Sequence, residues 1–194
     1  MEAEGNYYGT YDLPFYGKHM LLDALACISI CYYERVDFKE VSKYLKTFKG
    51  AKRRFSETVL GDNIVIDDYA HHPNEVKATI KATKQKYPDK EIIAVFQPHT
   101  FSRTKEFAND LANALNLANQ AYVLDIYPAR EKQEDYPDVT SNLIVEQLDN
   151  GRLIKIDNIE LFKNLKNMVI LFMSPNDLSS LENQVIDLYK KNEE

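Results

Sequence analysis

The sequence predicts a doubly wound α/β domain with a mostly parallel sheet, preceded by a smaller helical module. Three observations carry that reading. From Phe55 onward, short apolar runs alternate with stretches of helical length and periodicity. The runs are continuously apolar, as in EIIAVF and MVILFM, which suits strands covered on both faces. The first ~50 residues differ: two helical stretches and a short lead-in cannot bury a core alone.

Taken in order, Gly17-Lys18-His19 opens the apolar-rich helix MLLDALACISICYY. Val36-Asp37-Phe38 leads to a second helix, KEVSKYLKTF, and Lys49-Gly50 supplies a glycine suited to its C-terminus. Glu57–Leu60 and Asn63–Ile66 flank Gly61-Asp62, a hairpin signal. Pro73 stands at the start of a helix through EVKATIKATKQKY, which Pro88-Asp89 breaks. EIIAVF follows as a buried strand, and Ser102 is placed to cap the helix RTKEFANDLANALN. AYVLDIY reads as a strand and PAREKQEDYPD as a polar loop. Thr140 or Ser141 starts a helix through IVEQL, followed by strand RLIKI, helix IELFKNL, strand MVILFM and a final helix LSSLENQVIDLYKK. The α/β domain so defined runs from about 55 to 190, without internal repeats.

Hydrophobic residues make up 44% and charged residues 28%, an ordinary globular composition. The net charge of −6 argues against non-specific binding of nucleic acid or membrane surfaces. No apolar stretch approaches the ~20 residues of a membrane span, and the acidic, aromatic start MEAEGNYYGTYD does not read as a signal peptide. Cys27 and Cys31 are four apart and are expected on one buried helix face, as reduced thiols of a cytoplasmic protein. Glycine is scarce: six in all, and after Gly61 only Gly151. Neither G-x-G-x-x-G nor G-x-x-x-x-G-K-[ST] occurs, so the common glycine-rich phosphate cradles are absent from this sequence.

Ligands of such folds bind at the carboxyl ends of the strands. The segments there are DDYAHHP, QPHTFSR, YPARE and MSPND. Any one of them alone is ordinary strand-end polarity. Together they hold three of the four histidines, Arg103, Arg130 and Glu131, which predicts a site. Asp68, His71 and His99 form the residue set of a two-histidine, one-carboxylate metal centre, as in a phosphoesterase. Such centres draw further ligands from other segments, and adjacent extended residues such as His71 and His72 face opposite ways. An anion grip fits better. Tyr69, His71, His99 and Arg103 are all donors to carboxylate or phosphate oxygens, and Arg103 lies in the first turn of a helix, near its positive end. His72 reads as a residue of the helix start. Arg53-Arg54 either faces this cleft or is an exposed junction pair.

The segments GKHMLLDALA, FKGAKRRF, DDYAHHPNEVKAT and VFQPHTFSRT resemble the motifs of the Mur ligases, and the likeness runs through YPARE and LFMSPND to the C-terminus. Within the family it is strongest to the members that join L-alanine to UDP-N-acetylmuramate. The resemblance implies an enzyme of three domains: one for the UDP-sugar, a central P-loop ATPase domain, and a Rossmann-like domain for the incoming amino acid. Residues 1–52 would be the end of the central domain and 53–194 the whole C-terminal domain, with the preceding domains missing. The implied reaction is ATP-dependent ligation through an acyl phosphate, in peptidoglycan precursor synthesis, with ATP and Mg2+ held mainly by the missing part. The chain alone would be inactive and would hold no metal ligand.

By resemblance, Arg54 and Asp68 reach ATP from the hinge side. Tyr69, His71, His99 and Arg103 line the pocket for alanine and the reacting carboxylate. Arg54, Asp68, His71, His99 and Arg103 form the implied catalytic set, and His19 and Asp23 sit on the adenine-side helix. Three positions depart from the family pattern. Asp23 stands where asparagine is common, Thr100 where arginine is common, and Ser174-Pro175-Asn176-Asp177 replaces Gly-Ala-Gly-Asp. These departures motivate a non-catalytic relative as the alternative. A sister enzyme that attaches a recycled tripeptide shares the same motifs.

Overall fold

A computed structural model describes residues 1–190, and the chain divides into two compact units, Met1–Gly50 and Ala51–Glu194. Among the described residues no helix is long and apolar enough to cross a membrane.

The first unit opens with a two-residue ribbon, β1 (Glu2–Ala3) paired antiparallel to β2 (Asn6–Tyr7). Its turn places Glu4 and Gly5 at φ of 51° and 77°. Two helices follow, α1 (Lys18–Tyr33) and α2 (Phe38–Thr47). Asp37 caps α2 by accepting from the Lys39 amide at 2.7 Å. The helix ends at Thr47, before the expected Lys49-Gly50, because Phe48 turns to extended backbone. Only Ala24 and Ile28 of α1 are buried, while Leu21, Leu22, Leu25 and Ile30 are exposed. The expectation of buried thiols is corrected here: Cys27 is exposed and Cys31 half-buried, both unpaired. They share a face, but within this unit that face lines an open apolar groove with Val41, Tyr44 and Phe48.

The second unit is the α/β domain, and its sheet is doubly wound and mostly parallel. Strands β3 (Ser56–Leu60) and β4 (Asn63–Asp68) form the hairpin around Gly61. Then come α3 (Pro73–Lys86), β5 (Glu91–Phe96), α4 (Phe101–Leu115) and β6 (Gln120–Val123). The chain ends with the short α5 (Asn142–Val145), β7 (Gly151–Leu153), β8 (Met168–Met173) and α6 (Ser179–Lys190). Lys191, the last residue predicted for that helix, lies outside the described residues. The sheet order is β3-β4-β8-β5-β6-β7, with only the β3–β4 pair antiparallel.

Side chains alternate between the faces as strand geometry dictates. Ile64, Ile66, Ile92, Ala94, Phe96, Val169 and Leu171 join Val76, Ile80, Leu111 and Ile144 of α3–α5 on one face. Val65, Ile93, Val95, Ile170 and Phe172 join Phe162, Leu181 and Val185 on the other. Both faces are covered, which accounts for the continuously apolar runs.

Four predicted elements are shorter than expected. AYVLDIY is strand only as far as Val123. RLIKI pairs only through β7 at the sheet edge, IELFKNL is a 3-10 turn at Ile159–Phe162, and the helix through IVEQL has four residues. Ser141 precedes that helix without capping it, because its hydroxyl donates to the Leu124 carbonyl at 2.7 Å instead.

Candidate functional site

The parallel register of β4, β8, β5 and β6 puts Asp68 beside Met173, Phe96 beside Met173, and Phe96 beside Val123. The strand ends are therefore level, and the four polar loops share one edge of the sheet.

At the end of β4, Asp68 is buried. Its carboxylate accepts from the Phe55 and Ala70 amides, both at 2.8 Å, and from the Thr79 hydroxyl at 3.3 Å. Burial raises its pKa against the pull of these bonds. With those oxygens engaged, Asp68 does not converge with His71 and His99 as a metal set, and no group of three or more metal-ligating side chains occurs among the described residues. Tyr69 is exposed and lies under the Arg54 guanidinium, 5.2 Å from ring centre.

The adjacent histidines separate. The His71 ring meets the Tyr69 and His99 rings edge-on at 5.5 and 6.0 Å, with its Nδ1 3.3 Å from Glu75 Oε2. His72 is the N-cap of α3. Its Nδ1 accepts from the Asn74 amide at 3.3 Å, and Glu75 accepts in return from the His72 amide at 3.2 Å. Its ring lies against Phe107.

The loop after β5 presents His99, stacked on Tyr127 at 5.9 Å. His99 Nδ1 is buried without a hydrogen-bond partner. Burial, then the neighbouring Arg103 and His71 charges, hold its pKa below the ordinary histidine value. Thr100, rather than Ser102, caps α4: its hydroxyl accepts from the Arg103 amide at 3.4 Å. Ser102 bonds to Glu131 instead, donating through both its amide and its hydroxyl. The loop after β6 is fastened by Thr100 N–H to Tyr127 O and Tyr127 N–H to Pro98 O, both 2.9 Å.

His71, Thr100, Ser102, Arg103 and Glu131 line one open polar cleft of about 650 Å³. Three predicted donors therefore come together: His71 and Arg103 line the cleft, and His99 meets His71. Tyr69 reaches it through the His71 ring. Arg54 stays exposed at the margin. His19 and Asp23 belong to the first unit, where His19 Nδ1 is buried without a partner and Asp23 is exposed. Two residues that sequence reasoning left without a role emerge. Arg53 clamps the loop after β8, and Glu131 links two loops. The charge of YPARE was the only signal for the second.

The sequence model described as "Mur ligase, glutamate ligase domain" matches residues 53–178. UDP-N-acetylmuramate-alanine ligase MurC from Thermotoga maritima is 27% identical, covering 98% of this chain and 42% of its own, with a TM-score of 0.80. A murein peptide ligase from Psychrobacter arcticus is 22% identical over 92% of this chain and 38% of its own, TM-score 0.64. MurF ligase from Thermotoga maritima, solved with ADP, is 18% identical over 92% and 40%, TM-score 0.67. The last two share the fold. The chain spans about two-fifths of the length of these structures. With the family match spanning most of its length, the chain belongs to the Mur ligase family, and its α/β unit is that family's C-terminal domain.

Proposed function

We propose that this chain is the amino-acid-binding part of an ATP-dependent acid–amino-acid ligase that joins L-alanine to UDP-N-acetylmuramate for peptidoglycan synthesis. The observation that carries this is the meeting of His71 and Arg103, from two neighbouring loops, on one open polar cleft, with His99 against the His71 ring. The likeness to MurC across 98% of the chain supports the choice of alanine and the reading of residues 1–52 as the end of a nucleotide-binding domain.

Arg103, in the first turn of α4, is suited to a carboxylate. His99, whose pKa burial lowers, backs the wall through its ring contact with His71. His71 and Tyr69 complete the wall on the β4 side. Catalysis here is positioning and charge stabilisation. ATP with Mg2+, when bound by the remainder of the enzyme, supplies the phosphoryl group that activates the substrate carboxylate. From this chain the exposed Arg54 fits a phosphate. His19 and Asp23, in the first two turns of α1, fit the nucleotide side. Asp68 fits a positioning role, because its oxygens hold the backbone of the site.

The test is an assay of the intact protein that contains this chain. Phosphate release should require both UDP-N-acetylmuramate and L-alanine. Release with a tripeptide in place of alanine would transfer the reading to the peptide-adding branch, and no release with either would leave a non-catalytic relative.

A further inference from the structure

We propose that Glu131 is the ammonium anchor of the cleft. It would hold the cationic end of a free α-amino acid whose carboxylate lies toward Arg103, making the site selective for zwitterions over simple carboxylates. This rests on the amino-acid-binding reading above.

The cleft carries opposite charges on two elements. Arg103 projects from the first turn of α4, and Glu131 arrives from the loop after β6; both line the same cavity. Glu131 is held in place. Ser102 donates to it through its amide at 2.9 Å and through its hydroxyl, and the Glu131 amide closes a turn onto Pro128 O at 3.0 Å. With the Phe101 amide also directed at it, three of the roughly four acceptor positions of the carboxylate are taken and one remains for a ligand ammonium. The donors around Glu131 and the nearby His99 keep it ionised, below the usual glutamate range.

The other two carboxylates of the cleft are less suited. Glu75 accepts from the His71 and His72 amides at the start of α3. Glu106 lies farther along α4, is exposed, and has no hydrogen bond or ion pair fixing it. Of the three, Glu131 alone combines a fixed position with a place beside the α4 N-terminus, where Arg103 stands. A ligand that presents a carboxylate to Arg103 and an ammonium to Glu131 is an unmodified amino acid.

The test is an NMR titration of this 194-residue chain with L-alanine, with propionate, which lacks the ammonium, and with ethylamine, which lacks the carboxylate. The His71 and His99 ring signals serve as reporters. Wild type should bind alanine roughly tenfold or more tightly than propionate, the scale of one charge-assisted bond. Glu131→Gln should bring alanine down to the propionate level while propionate binding holds. Glu131→Asp, which keeps the charge, should retain part of the preference. Ser102→Ala, which removes one support, should retain most of it.

A preference for alanine that persists in Glu131→Gln overturns the inference and leaves the amino-acid reading intact. Equal weakening of alanine and propionate in Glu131→Gln also overturns it, since that marks a purely structural residue. No saturable response to alanine in wild type would overturn the amino-acid reading itself, and Glu131 with it.

Discussion

Arg53 and Asp67 form an ion pair, Nε to Oδ2 at 3.1 Å, that joins the lead-in of β3 to the end of β4. The same guanidinium donates to the carbonyls of Ser174 and Asn176 at 2.6 and 2.7 Å and reaches Pro175 O at 3.4 Å. One planar fork thus fixes the loop after β8 to the edge of the site, a task a lysine ammonium cannot copy. The Arg54 side chain instead makes a cation–π contact with Tyr69, with no side-chain hydrogen bond among the described residues, and acts on Asp68 and Glu75 through its charge.

The two arginines should therefore separate in unfolding experiments. Arg53→Ala strands three carbonyls and a half-buried carboxylate, and is expected to lower stability by about 2–3 kcal/mol. Arg53→Lys should recover less than half of that. Arg54→Ala should cost under ~1 kcal/mol. Chemical denaturation midpoints at constant slope decide it.

Glu182, in the first turn of α6, adds a pH dependence. Burial, then the charge of Asp67, push its carboxyl up to about 7 against an unfolded value near 4.5, with Asp177 also raising it and Arg53 opposing. The folded protein keeps a proton that the unfolded chain loses, so stability falls as pH climbs from about 4.5 to about 7. Glu182→Gln should flatten that slope. After discounting for solvent screening, it should raise stability at pH 8 by on the order of 1 kcal/mol. Thermal unfolding at pH 5 and pH 8 measures the difference; an unchanged slope would show that Glu182 ionises normally.

His71 and His72 should part in the same way. His72→Ala removes the α3 cap and its share of the capping box, an expected loss of about 0.5–2 kcal/mol. The His72 ring also lines the cleft, so alanine binding should weaken, but by less than in His71→Ala. His71→Ala leaves the cap intact, so the fold should hold while the ring pair with His99 is lost. Denaturation together with alanine titration reads both effects, and a His72→Ala protein of full stability would contradict the capping role.

Much of this arrangement was legible in the sequence because a few physical rules force it. Strands buried on both faces must be continuously apolar, which exposed EIIAVF and MVILFM. A parallel sheet must put its carboxyl ends on one edge, which gathered DDYAHHP, QPHTFSR, YPARE and MSPND. Three kinds of fact stayed hidden. The insertion of β8 between β4 and β5 depends on contacts between segments some hundred residues apart. The helix start at Thr100 depends on Glu131, which draws Ser102 away from capping. Adjacent arginines are alike to any local rule; which one clamps the loop depends on the turn that places Arg53 at φ 55° and Phe55 at φ 57°.

Thr100 holds stored strain at the site. Its backbone, at φ 65° and ψ 147°, lies in a region close to the one only glycine occupies freely, and its β-branched side chain makes that worse. What holds it there is on either side: its amide donates to Tyr127 O at 2.9 Å, and its carbonyl accepts from the Thr104 amide and hydroxyl at 3.2 and 2.8 Å. The side-chain cap it supplies is long, at 3.4 Å, so losing it costs only a few tenths of a kcal/mol against glycine. Thr100→Gly should therefore stabilise the chain by about 1 kcal/mol, the relieved strain outweighing the lost cap and the added freedom of the unfolded chain. The same change should loosen the hold on His99 and Arg103, which flank position 100, and weaken alanine binding. A rise in melting temperature with a fall in affinity is the expected signature; a fall in both would show that the threonine conformation is unstrained.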